Sequence, residues 1–227
     1  MECLYIPEYS SDQATLSIHG EEYRHCRALR LREGESILVS NGSGLCATAT
    51  VLSWHKDHVV LQRVQVLPLY RESAKQFHLC IGVLDSKERS EFVVEKAVEL
   101  GATSITFAST RYASKRRHSV ERFRSKAIAA LKQCGRAVLP SITLATCLSD
   151  AINTIGADHH VICDTNGSTP QSISNNTCIY IGPEGGFHED EIALLRTLHG
   201  VDVWHLGNAR LRAETAAMAA LSHAAVV

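Results

Sequence analysis

From Gln76 onward, short apolar runs alternate with longer amphipathic ones, and this alternation most narrows what the chain can fold into. "FHLCIGVL" is followed by "SKERSEFVVEKAVELG", then "SITFAS", then "SVERFRSKAIAALKQCG". "HHVICD" and "CIYIG" follow, then the helical "HEDEIALLRTLHG", the strand-like "VDVWHLG" and the helical "AETAAMAALSHAAVV". Strand and helix in turn predict an α/β fold with a mostly parallel sheet covered on both faces. Gly101 is placed to end the first helix and Ser119 to cap the second.

Residues 1 to about 70 carry a different rhythm. "ATLSI", "SILVS", "LCATATVL" and "HVVLQRVQV" alternate with period two and are separated by "EGE", "NGSG" and "WHKDH". Several short strands in so few residues predict a small β-barrel, with a boundary near "LPLYRESAK". The expected domains are therefore 1–70 and 71–227.

Ligands of open parallel sheets bind beyond the carboxyl ends of the strands. Three glycine-bearing loops are expected there: "DTNGS", "GPEGGF" and "GNARLRAET". Glycine lets a ligand lie against bare main chain and lets the chain take positive φ. The same turns also serve a purely structural purpose, and both readings stand. Neither the dinucleotide fingerprint nor the P-loop is present. Arg210 and Arg212 sit beside the last glycine turn and suit an anionic or polar partner. Glu214 opens an Ala-rich helix. No G-x-S-x-G or H-E-x-x-H occurs, and the twelve histidines are scattered, His25 and His205 being the most interesting. No metal is expected.

The net charge of −1 conceals a segregation. Arg111 to Arg136 holds nine Lys or Arg against one acid, whereas Leu148 to the end holds three against nine. "RHCRALRLR" is a second acid-free basic cluster. Segregated charge fits a polyanion on one face or a solvated helix. The eight cysteines form no C-x-x-C, which predicts buried, reduced thiols. Without a long apolar run or a basic leader, a cytoplasmic protein with no membrane partner is expected.

Several of these segments together resemble one family. "IGPEGGF" and "LGNARLRAETA" look like the two signature loops of the RsmE family of 16S ribosomal RNA uridine-N3 methyltransferases, in the SPOUT (trefoil-knot) superfamily. "HCRALRLREGE" keeps His25, Leu29, Arg30, Leu31 and Gly34 of a motif in the family's PUA-like barrel. "EKAVELG" keeps Lys96, Glu99, Leu100 and Gly101, and "KQCGRAVLP" keeps Gln133, Arg136 and Pro140. Ala209 stands where the family often has Arg, with Arg210 following.

The resemblance implies a PUA-like RNA-binding barrel in 1–70 and a SPOUT methyltransferase domain with a deep trefoil knot in 71–227. It implies S-adenosyl-L-methionine as cofactor, a homodimer, and 16S rRNA or the small ribosomal subunit as partner. Cofactor binding falls on Ile181, Gly182, Pro183, Glu184, Gly185, Gly186, Leu206, Gly207, Asn208 and Leu211. Catalysis falls on Arg212, Arg210 and Glu214. RNA binding falls on Arg24, Arg27, Arg30 and Arg32, on Lys115, Arg116, Arg117, Arg122, Arg124 and Lys126, and on Arg136. Alternatives are a SPOUT enzyme with another RNA target and a non-catalytic RNA-binding assembly factor.

Overall fold

The computed structural model describes residues 1–116 and 118–226. The chain divides into two compact units: Met1–Glu72 with Ile128–Leu139, and Ser73–Ala127 with Pro140–Val227.

The first unit contains β1 (Cys3–Tyr5), β2 (Thr15–Ile18), α1 (Gly20–Ala28), β3 (Ser36–Ser40), β4 (Leu45–Trp54) and β5 (Val59–Pro68). The expected small barrel is realised as a curled five-stranded sheet in the order β1-β3-β4-β5-β2. Only the β1–β3 pair is parallel. Two register shifts between β4 and β5 help to curl it. Period-two residues such as Ile37 and Val39, or Ala47, Ala49 and Val51, fill its core.

The piece 128–139 completes this unit. Ala137 packs on Cys3, Leu38 and Cys46. Ser40 Oγ donates to the Arg136 carbonyl at 2.9 Å, and the Gly44 and Leu139 amides bond to Ala137 O and Gly42 O, also at 2.9 Å. The Arg136 guanidinium meets the Glu72 carboxylate at 2.7 Å, and both groups are buried. Glu72 Oε1 also accepts the Ala137 and Val138 amides, each at 2.9 Å.

The second unit runs β6 (Gln76–Gly82), α2 (Lys87–Glu99), β7 (Ser104–Ala108), β8 (Ser141–Ala145) and α4 (Leu148–Ile155). It continues with β9 (His159–Ser168), β10 (Asn176–Ile181), α5 (Glu189–Arg196), β11 (Val201–Trp204) and α6 (Ala213–Val226). The division between the units falls inside α3 (Val120–Cys134). The six-stranded sheet has the order β11-β9-β10-β6-β7-β8, and every pair is parallel. β6 and β10 are buried along almost their whole length, as strands covered on both faces must be. Cys80, Cys178 and Tyr180 pack with residues of α4 and α5, while α6 lies along β6, β10 and α2.

Four elements lie outside the expectations drawn from the sequence. β1 is only three residues long, and α1 buries only Cys26, so neither shows periodicity. β8 is a half-exposed edge strand, and α4 has eight residues and no side-chain cap. The segment "DTNGS", expected as a loop, belongs entirely to strand: β9 runs on to Ser168. A Cβ on Gly167 would stand 2.5 Å from the Trp204 carbonyl carbon, so glycine lets β9 close on β11. None of the eight cysteines is in a disulfide, and five are buried. Cys134 and Cys163 are half-buried, and Cys147 departs from the expectation by being exposed.

Candidate functional site

The carboxyl ends of β9, β10 and β11 open onto one cavity of about 620 Å³, within the usual size for small-molecule pockets. Ile181–Gly186 forms one wall, and Leu206, Gly207 and Leu211 another. Asp164 and Thr165, in the second half of β9, complete it with Trp204 and His205. Of the cofactor residues expected from sequence, only Asn208 is absent from the lining. Cys163 also lines the cavity, and burial pushes its thiol up to about 12, so it stays protonated and apolar.

The glycines divide into two kinds. A Cβ on Gly182 would come within 2.8 Å of Gly186 main chain, and one on Gly185 would meet Tyr112 Cβ at 2.8 Å. These two let the turn fold tightly on itself and its neighbour. Gly207 differs: its φ is +136° and no atom lies within 4 Å of its missing Cβ, so main chain there borders open space.

The first glycine loop is held from below by Arg89. Its guanidinium reaches Glu184 Oε1 at 3.1 Å, Asp85 Oδ1 at 3.0 Å and Glu214 Oε1 at 3.9 Å. No motif in the sequence singles out Arg89. Its signal was a cation in the first turn of α2, where the helix dipole favours acids. From above, Arg210 Nη2 donates to the Glu184 carbonyl at 3.0 Å. Beyond the loop, His188 and Glu191 form a capping box at the start of α5. Glu191 also accepts the Arg111 amide at 2.9 Å.

Arg210 and Arg212 both line the cavity and are exposed. The Arg212 guanidinium engages no side-chain partner among the described residues. Glu214 is placed otherwise: it is buried outside the lining and faces Arg89 rather than either loop arginine. Its Oε2 has no hydrogen-bond partner among the described residues.

The basic residues also separate. Arg24, Arg27, Arg30 and Arg32 are exposed on and just beyond α1. Arg27 stacks over Tyr23 at 6.0 Å. Lys115, Arg116 and Arg124 are exposed in the second unit. Arg117 lies outside the described residues. Arg122 is bonded to Glu91, whose carboxylate it holds below the usual range, and Lys126 stands 3.7 Å from the same group. Arg136 is 4% exposed and locked on Glu72, so its charge is spent inside the first unit. The basic run that looked uniform in sequence thus holds exposed cations, ion-paired ones and a buried one.

The residues fit S-adenosylmethionine. The open space at Gly207, bare main chain on two walls and the Asp164 carboxylate suit a cationic molecule with a heterocycle and a ribose. Trp204 Nε1, buried and without a partner among the described residues, belongs to a residue of the same lining.

Comparison with known proteins agrees. The family described as an RNA methyltransferase domain matches residues 71–225, and an RNA methyltransferase PUA domain matches 18–62. The Ribosomal RNA small subunit methyltransferase E of Helicobacter pylori J99 is 28% identical over 198 residues, covering 84% of this chain and 85% of its own. The Bacillus subtilis protein of that name is also 28% identical, covering 92% and 88%. Among solved structures, the Neisseria gonorrhoeae methyltransferase E bound to S-adenosyl methionine superposes with a TM-score of 0.87 at 26% identity, covering 98% and 96%. A Legionella pneumophila methyltransferase in complex with the same cofactor gives 0.81 at 28% identity, covering 97% and 95%.

Proposed function

Because the chain belongs to the RNA methyltransferase family, matched over 71–225, we propose that it transfers a methyl group from S-adenosylmethionine to N3 of a uridine in 16S ribosomal RNA. The observation that carries this is the meeting of both glycine loops and two arginines around one cavity at the carboxyl end of a parallel sheet. The bound cofactor supplies a methyl group already activated on a sulfonium.

The remaining work belongs to this chain's side chains. Ile181–Gly186, Leu206, Gly207 and Leu211 hold the cofactor through main-chain groups. Arg89 and Arg210 fix Glu184 from its carboxylate and its carbonyl, so the loop is rigid before anything binds. Holding reactants in line removes up to ~7–11 kcal/mol of barrier in ideal cases. A neutral uracil N3–H is a poor nucleophile; its proton passes to solvent water, and the resulting anion places charge on the ring carbonyls. Arg212, unpaired at the cavity, is the donor for that charge, and Arg210 is held by the loop. Glu214 acts on the loop through Arg89 and makes no approach to the base.

Arg24, Arg27, Arg30 and Arg32, on and just beyond α1, and the exposed Lys115, Arg116 and Arg124 position RNA phosphates. Arg136 has no part in this. The knot, the homodimer, the cytoplasmic location and a domain boundary near residue 70 complete the proposal. The described residues contain no helix long and apolar enough to cross a membrane.

The test is methyl transfer to small-subunit RNA, mapped by mass, with Arg212→Ala beside the unaltered protein. Turnover should fall at least ~100-fold, the cost of one well-placed donor, while cofactor affinity stays within about twofold. Equal loss of both, or a product methylated elsewhere than N3, overturns the assignment.

A further inference from the structure

Sequence spacing offered no metal site, yet folding gathers three histidines and an aspartate on one edge of the first unit. His19 precedes α1, while His55, Asp57 and His58 lie in and beside the turn joining β4 to β5. One donor atom each from His19, Asp57 and His58 lies within 4.8 Å of the others. The rings are stacked: His19 on His58 at 4.9 Å and 25°, His55 on His58 at 4.3 Å and 7°. We propose that His19, Asp57 and His58 form a binding site for a divalent transition cation of the zinc class, clamping the start of α1 to the β4–β5 turn.

The chemistry of the donors selects the ion. Two imidazoles and a carboxylate suit zinc, cobalt, nickel or copper, whereas magnesium and calcium want oxygen alone. Metal bonds of ~2.0–2.2 Å put tetrahedral ligand atoms about 3.3 Å apart. His19 and Asp57 are exposed and can close the remaining distance by rotation. Three protein ligands leave a fourth position to water or another oxygen.

The surroundings are prepared for it. Tyr23 Oη, one turn into α1, donates to the His55 and Lys56 carbonyls at 3.0 and 3.1 Å, so helix and turn are already joined. His19 occupies the N-cap position, yet its side chain makes no capping hydrogen bond and its ring is turned to the histidine stack. His55 braces the central ring, His58, and its own Nε2 lies 3.1 Å from Ser53 Oγ. The sequence hid all this because the ligands come from two distant segments.

Cobalt(II) titration of the intact protein near neutral pH, followed by visible absorption and calorimetry, tests the site. One equivalent should bind with the spectrum of nitrogen and oxygen ligands and no thiolate charge-transfer band. His19→Ala, His58→Ala and the shape-conserving Asp57→Asn should each weaken binding about tenfold or more, their circular dichroism without metal matching the parent. Cys147→Ser, which removes the exposed thiol, should change nothing. A thiolate band lost with Cys147→Ser, affinity unaltered in His19→Ala and Asp57→Asn, or no saturation below millimolar cobalt overturns the proposal.

Discussion

Arg30 shows what a single residue contributes when two demands fall on one position. It follows α1 in the left-handed conformation, with φ of 57°, a place where glycine is usual. The Arg30 and Leu31 amides bond to Arg27 O at 3.0 Å and Cys26 O at 3.4 Å, which closes the helix end. An L-residue there costs roughly 1–2 kcal/mol. The side chain is exposed beside Arg24, Arg27 and Arg32, and the proposed phosphate contact explains why the strain is kept. Arg30→Gly should therefore raise stability by about 1 kcal/mol, read from the urea midpoint. It should also weaken RNA binding and reduce the salt slope by about 0.7–0.9. A variant unchanged in both respects contradicts this reading. At this scale the sequence was informative about kind and less so about place. Gly207 was legible as a bare-backbone position, and Arg212 as a free cation by a glycine turn. That Arg136 is buried on Glu72 was hidden, since a basic run looks the same whether or not a distant acid meets one of its members.

Among elements, the parallel strands assign opposite chemistry to their two ends. The carboxyl ends of β9, β10 and β11 bear the cavity, whereas the starts of β6 and β9 bear buried histidines. His78 lies between Ser104 Oγ at 2.8 Å and Asn176 Oδ1 at 3.0 Å, and His160 Nδ1 is 3.1 Å from Tyr180 Oη. Burial holds both imidazoles below their usual 6.5. The unfolded chain therefore takes up protons at a higher pH than the folded one. Their contribution to stability is complete above pH 6.5 and is lost as pH falls from there through the folded values. The urea midpoint should drop between pH 7.5 and 5.5, and less steeply in a His78→Gln, His160→Gln double variant; equal slopes would dismiss the two rings as the cause. The alternation of strand and helix was legible here because buried parallel strands read as unbroken apolar runs. β8 was not, because an edge strand buries too little to leave a pattern, whereas α4 did carry one, Leu148, Ala151, Ile152 and Ile155 at helical spacing, in a stretch only two turns long.

At the level of the whole chain, the division into two rhythms was legible, but the return of 128–139 to the first unit was not. Its links are a buried ion pair, carbonyl and amide bonds, and one alanine on three apolar residues, none of which has a local sequence signature. Arg136→Ala leaves the Glu72 carboxylate buried without its cation, and should cost about 3–5 kcal/mol by urea denaturation. A loss below 1 kcal/mol would mean that the segment is merely laid on the sheet. The same feature bears on biosynthesis. Chains grow from the N-terminus at about 5–20 residues per second, so the first seventy residues must wait several seconds for the piece that seals them. Until then Cys3, Leu38 and Cys46 have Leu67 and Tyr70 beside them but lack the cover of Ala137, which leaves that seam open to chaperones and to neighbouring nascent chains.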